Sequence, residues 1–305
     1  MHPSRHSTGI PALDQLLGGG LLPGTLTVIL GATGIGKTQL GLQFAHAGVN
    51  QEGEPGCVAD LTTRGDSQYH AAYAQRMLHW QLRDADQSTA GAADASASNP
   101  LLQGAEVFEN LAGRAQHLNL LEMTGRRVTR DSTSTEEWQD WKAEWNHRLE
   151  RAIAFFYRNF IAGTRRCVVD GIEPAARSVD SQQFEMFSYL YHQVLRKDHD
   201  WLARDLFRIR YRDLEPLVMR HAYESSQISC LLLATSHEVM LEDLIHRPIA
   251  TGDELSNANT IILMGKVHEG TRMSRALYVA KHRGSACDES IVPYTITESG
   301  LELRA

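Results

Sequence analysis

Cysteine is scarce in this sequence. The four residues Cys57, Cys167, Cys230 and Cys287 include no C-x-x-C pair, so neither a dithiol redox motif nor a cysteine zinc site is expected. The first three fall within short apolar runs, where free cysteine behaves as a small buried hydrophobe; reduced core cysteines of a cytoplasmic protein are the expectation. Long hydrophobic runs are missing too. Nothing approaches the roughly eighteen apolar residues of a spanning helix, so no membrane partner is expected. The opening MHPSRHSTGIPALDQLL lacks the apolar centre and cleavage pattern of a signal peptide. Positive charge is not in excess: 30 Lys and Arg face 37 Asp and Glu, a formal net charge of −7, so no global attraction to nucleic acid is expected. The hydrolase pattern G-x-S-x-G is absent. Fourteen histidines show neither H-E-x-x-H nor finger spacing, which makes them surface or core residues by expectation.

What is present is a phosphate-binding pattern. Gly31-Ala32-Thr33-Gly34-Ile35-Gly36-Lys37-Thr38 matches G-x-x-x-x-G-K-[ST]. Leu26 to Leu30 before it is a β-rich run, and Lys37 to Ala47 after it reads as a helix, the context that the pattern requires. Glycines let successive N–H groups point at the same phosphate oxygens, and the helix N-terminus adds positive potential. Lys37 is expected at the β- and γ-phosphates and the Thr38 hydroxyl on Mg²⁺. The second metal carboxylate is expected at a strand end; Asp170, closing Cys167-Val168-Val169-Asp170, fits that role.

Further along, apolar runs read as strands over Gly56–Leu61, at 117–122, and over Arg166–Asp170, Ser229–Ala234, Thr260–Met264, Arg275–Ala280 and Tyr294–Thr297. Helices are expected over Ser67–Leu82, Gln182–Asp198 and Trp201–Asp213, the last interrupted at Pro216. A long helix starts near Thr133 or Ser134, each with a glutamate three residues on that makes a capping box. Along it Trp138, Trp141, Trp145, Leu149, Ile153, Phe156 and Phe160 form one face, expected to pack against the sheet rather than to dock a partner protein. Residues 83–100 are small, polar and aperiodic, as in a flexible loop. Strands alternating with helices predict an open, mostly parallel α/β sheet. No internal repeat appears, so 1–305 is expected to be a single domain, with 83–133 a flexible or poorly matched insertion. Arg204, Arg208 and Arg212, four apart, stripe one helix face: either a groove for nucleic-acid phosphates or a solvated, ion-paired face, the latter favoured by the acidic net charge. Arg126, Arg127 and Arg130 form a second basic cluster.

The segment Ser7 to Gly20, Pro23-Gly24, the loop GATGIGKT and the helix start TQLGLQFA together resemble the KaiC-like ATPases of the RecA superfamily. LLLATSHE (Leu231–Glu238), Val279-Ala280-Lys281-His282-Arg283-Gly284 and PYTITESGLEL continue the likeness, which is strong over 7–62, moderate over 165–175 and 228–300, and absent over about 83–160. The resemblance implies a RecA-like P-loop core with helical insertions, MgATP as the ligand, and self-association into a ring or filament. Lys281 and Arg283 would then act on the γ-phosphate of the neighbouring subunit. In the family, glutamates end the second strand and activate water; here Thr62 and Thr63 stand in their place, and threonine is not a base near neutral pH. Asp60, Asp66 and Glu173 are the alternatives for that task, and His237 is expected near the γ-phosphate. Three functions follow: a nucleotide-gated regulatory or signalling protein with weak ATPase activity, an ATPase using one of the alternative acids, or a DNA-recombination accessory binding through the arginine stripe.

Overall fold

The structure is a computed structural model that describes residues 5–63, 69–85, 104–121, 134–174, 181–247, 257–284 and 286–304. The described strands form one nine-stranded sheet in the order β3-β2-β4-β5-β1-β6-β7-β8-β9. Six run parallel: β1 (Leu26–Gly31), β2 (Cys57–Asp60), β3 (His117–Asn119), β4 (Arg166–Ile172), β5 (Ser229–Thr235) and β6 (Thr260–Glu269). The antiparallel strands β7 (Arg272–His282), β8 (Val292–Thr297) and β9 (Gly300–Leu303) extend the far edge. This is the expected α/β architecture, a mostly parallel sheet flanked by helices. β5 lies between β1 and β4, and all three end on one side of the sheet, so the phosphate loop and the strand-end acid share that side.

The pleat sends alternate residues to two cores. Leu231 and Leu233 of β5 join Ile29, Val58 and Val168 against Leu40, Leu42 and Phe44 of α2 (Lys37–His46) and Ala74 and Met77 of α4 (His70–Leu78). α1 (Pro11–Leu16) lies in the same layer through Leu13. Cys230 and Leu232 join Val28, Ala59 and Val169 on the opposite face, beneath α5 (Thr135–Ile161), α6 (Gln182–Tyr189), α7 (His199–Phe207) and α8 (Tyr211–Arg220). Short helices α3 (Gly48–Gln51) and α9 (Leu241–His246) follow α2 and β5. Cys57, Cys167 and Cys230 stand in register on three adjacent strands, free and buried, as expected.

The long helix is capped as one of its two expected alternatives. The Ser134 hydroxyl accepts from the Glu137 amide, and the Glu137 carboxylate accepts from the Ser134 amide. Thr133 lies outside the described residues. Trp145, Ile153, Phe156 and Phe160 are buried in the core, whereas Trp138 and Trp141 are half-exposed and stack, with centroids 5.0 Å apart. The stripe is therefore core over its C-terminal half, and its first turns run beyond the sheet.

Several boundaries differ from expectation. α4 is shorter than Ser67–Leu82, because Tyr69 and His79 at its two ends take φ of 51° and 50°, left-handed values that cannot continue a helix. α6 passes into a π-helical stretch, Leu190–Leu195. The helix expected over Trp201–Asp213 breaks at Arg208 (φ 48°) into α7, a 3₁₀ turn and α8, and Pro216 sits inside α8. Arg204, Arg208 and Arg212 therefore share no single helix face. Arg204 pairs with Asp200 at 2.8 Å and lies over the Tyr211 ring, and Arg208 pairs with Glu150. Residues 104–121, within the expected insertion, supply β3 to the sheet edge. Asp66, Arg126, Arg127, Arg130 and most of the polar stretch 83–100 lie outside the described residues.

Candidate nucleotide site

The loop between β1 and α2 turns through Gly34 (φ 72°) and Gly36 (φ 108°). A side chain at Gly36 would sit 3.0 Å from Ile296 of β8. The C-terminal hairpin braces the loop directly: the Tyr294 hydroxyl donates to the Ile35 carbonyl at 2.7 Å, and Gln43 of α2 exchanges hydrogen bonds with the backbone of Leu301. Tertiary contacts thus add to the glycines in holding the loop's curvature.

Ser7 and Thr8 explain the opening segment. The Ser7 hydroxyl donates to Asp14, and the Thr8 amide and hydroxyl reach the same carboxylate at 2.6 and 2.7 Å. Arg166, at the start of β4 and wholly buried, ties this segment down. It forks onto Glu52 at 2.7 and 3.0 Å and donates to the carbonyls of Ser7 and Phe44.

A cavity of about 660 Å³ opens at the strand ends, a size suited to a nucleotide. Thr33, Gly34, Gly36, Lys37 and Thr38 line it together with Thr62, Asp170, Glu173, Ser236 and His237. Lys37 is 8% exposed. Its Nζ donates to the carbonyls of Gly31 and Ala32 at 2.9 Å each. Burial lowers its pKa to about 8, against the opposing charge of Asp170. The Thr38 hydroxyl donates to Asp170 Oδ2 at 2.8 Å across 132 residues of sequence. Burial alone would raise the Asp170 pKa; the His70 and Thr38 hydrogen bonds and the nearby Lys37 outweigh it and hold the group below the ordinary value, hence ionised. A hydroxyl beside an ionised carboxylate is a hard-oxygen donor set, which fits Mg²⁺.

The loop residues, Thr38 and Asp170 thus come together as the sequence implied. Among the three acids weighed as a base, Glu173 lines the cavity. Asp60 is fully buried away from that lining and accepts from the Thr62 amide at 2.9 Å and from Asn119 at 3.2 Å. Thr62 takes the cavity position at the end of β2, held by the close approach of Gly171 (φ 97°), where an added Cβ would lie 2.7 Å from the Thr62 nitrogen. His237 lines the cavity. Lys281 and Arg283 do not. Thr27 pairs with Thr260, and Thr260 with His282, so both cations lie at the end of the sheet opposite the loop at Gly31. Four residues of strand put that separation at about 13 Å.

Sequence reasoning missed His70, whose Nε2 lies 3.1 Å from Asp170 Oδ2. It also missed Tyr73 and Gln39 in the cavity wall. Gln39 follows Thr38 directly in α2, but no local spacing marks His70 or Tyr73, whose nearness to Asp170 arises from the pairing of β2 with β4.

Comparison with known proteins agrees with this geometry. Residues 6–111 match the family of KaiC ATPases. The circadian clock oscillator protein KaiC of Thermostichus vulcanus is 24% identical over 98% of this chain and 42% of its own length. A UPF0273 protein of Methanopyrus kandleri is 43% identical over 20% of this chain and 24% of its own. The DNA repair protein RadA of Mycobacterium tuberculosis is 51% identical over 13% of this chain and 8% of its own. The chain thus spans less than half the length of these curated relatives. Over its first third the chain is similar to the KaiC ATPase domain, with weak similarity to KaiC along nearly its whole length. Among the described residues, no helix is long and apolar enough to cross a membrane.

Proposed function

We propose that this KaiC-like chain binds MgATP between subunits of a homo-oligomer and serves as a nucleotide-dependent regulatory or signalling protein with weak ATPase activity. The observation that carries the reading is the meeting of Lys37, Thr38 and Asp170 in one cavity, with Thr38 hydrogen-bonded to Asp170. The loop amides and Lys37 would hold the β- and γ-phosphates, and Thr38 and Asp170 would hold Mg²⁺, which when bound neutralises charge on the transferring phosphoryl group.

Slow turnover follows from the base. Thr62 occupies the position at the end of β2 and offers a hydroxyl where a carboxylate would take a proton from water. Of the two described candidates, Asp60 and Glu173, Glu173 is the one that lines the cavity and is proposed for this task. Lys281 and Arg283, remote from their own loop, would stabilise phosphoryl charge only across a subunit contact. A DNA-binding function gains little support, since Arg204 and Arg208 are engaged by carboxylates of the same chain.

The test is MgATP binding and phosphate release by the purified chain, with Lys37→Ala as control. Binding that the control abolishes, with release far below that of competent ATPases and reduced further by Glu173→Gln, is expected. Wild-type binding no tighter than the control's would overturn the nucleotide site; fast release would overturn the regulatory reading.

A further inference from the structure

His70 connects the nucleotide cavity to a second polar cluster. Asp60 at the end of β2, His70 at the start of α4 and His117 at the start of β3 are 0%, 2% and 5% exposed. One metal-donor atom from each lies within 4.8 Å of the others. Two ring nitrogens here, His70 Nδ1 and His117 Nε2, are buried without a hydrogen-bond partner. Leaving one buried polar atom unsatisfied costs about 1–3 kcal/mol, and two beside a single buried carboxylate call for a ligand.

The opposite nitrogen of each ring is occupied. His70 Nε2 faces Asp170 Oδ2 at 3.1 Å, and His117 Nδ1 faces Asp84 Oδ2 at 2.6 Å. A carboxylate that accepts one ring N–H leaves the lone pair on the other nitrogen, the arrangement by which outer carboxylates prepare histidines for metals. In the neutral form of each ring, that lone pair is then on the unpartnered atom. Asp60 is held in turn by the Thr62 amide and Asn119.

We propose that Asp60, His70 and His117 form a binding site for a divalent transition-metal ion of the zinc class, with two imidazole nitrogens, one carboxylate oxygen and an open fourth position. Imidazole donors separate this site from the all-oxygen set at Thr38 and Asp170 and disfavour Mg²⁺ and Ca²⁺. His70 Nδ1 and Asp60 Oδ2 are 3.8 Å apart, close to the roughly 3.3–3.6 Å between donors on a tetrahedral ion with bonds of about 2.0–2.2 Å.

The experiment titrates the full, chelator-stripped chain with Zn²⁺ by calorimetry and with Co²⁺ by its visible absorption, without nucleotide. Saturable uptake of one equivalent is expected, weakened by at least about 100-fold in His117→Gln and by about tenfold in Asp84→Asn, since even outer-shell partners cost about 10–100-fold. MgATP binding should match wild type in both variants, and their circular dichroism spectra should be those of a folded chain. No saturable uptake would overturn the proposal and leave a proton bridging His70 and the aspartates. Undiminished uptake in His117→Gln would do the same; should that variant not fold, Asp84→Asn decides by the same criterion. Because the titration contains no nucleotide, its failure leaves the nucleotide reading standing, and failure of MgATP binding leaves the metal result intact.

Discussion

Lys37 gives the sharpest quantitative expectation. Its ammonium is almost enclosed, and burial brings its pKa down to about 8 despite the attraction of Asp170. The lysine is fully charged below that value and loses charge as pH rises through it, the direction for a depressed amine. Phosphate binds the charged form, and a bound anion raises the pKa, so the apparent dissociation constant should be flat at lower pH and rise by up to about tenfold per pH unit above about 8. At about pH 9.5 the loss reaches about 30-fold. Asp170→Asn removes the charge that supports the ammonium, so the inflection should move to lower pH. The assay is fluorescence anisotropy of a labelled ATP analogue in EDTA, from about pH 6.5 to about 9.5, which separates the lysine from Mg²⁺ coordination. A constant affinity across that range, or an inflection that moves upward in Asp170→Asn, would refute the argument that burial sets the charge of Lys37.

Three further outcomes are expected. Gly171→Ala forces a left-handed residue costing about 1–2 kcal/mol into contact with the Thr62 backbone; urea unfolding should show a loss of about 2–4 kcal/mol in all, and Thr62→Ser, which relieves only a methyl contact, should recover little of it. Arg166→Met strands the Glu52 carboxylate and should cost about 3 kcal/mol in the same assay; the double variant carrying Glu52→Gln should regain the part due to the unpaired charge but not that of the Ser7 and Phe44 carbonyls. Chains with Lys281→Ala and Arg283→Ala should bind MgATP normally but release less phosphate. Mixed equally with Lys37→Ala chains, they should recover about a quarter of wild-type turnover if interfaces form at random in a ring; no recovery would remove the role across subunits.

Much of the fold was legible because its signals are local. The phosphate loop lies between a β-rich run and a helix in eight contiguous residues, and the strand-end Asp170 and the Ser134 cap depend on spacings of a few residues. The tryptophan stripe was legible as a face, but where that face leaves the sheet was not, since periodicity records direction and says nothing of the extent of the surface beneath. Helix ends at Tyr69, His79 and Arg208 escaped detection because non-glycine residues held at positive φ carry no composition signal; their surroundings impose the angle.

By itself, the sequence determined the phosphate-loop pattern and the α/β alternation, each written in adjacent residues. The tertiary structure alone decided that β5 separates β1 from β4, that the C-terminal hairpin braces the loop through Tyr294, and that Glu173 rather than Asp60 lines the cavity. It also decided that two histidines 47 residues apart, unremarkable by spacing, converge on Asp60 beside Asp170. Parallel strand pairing brings together side chains that the chain keeps far apart, and metal or nucleotide chemistry depends on distance in space rather than along the sequence.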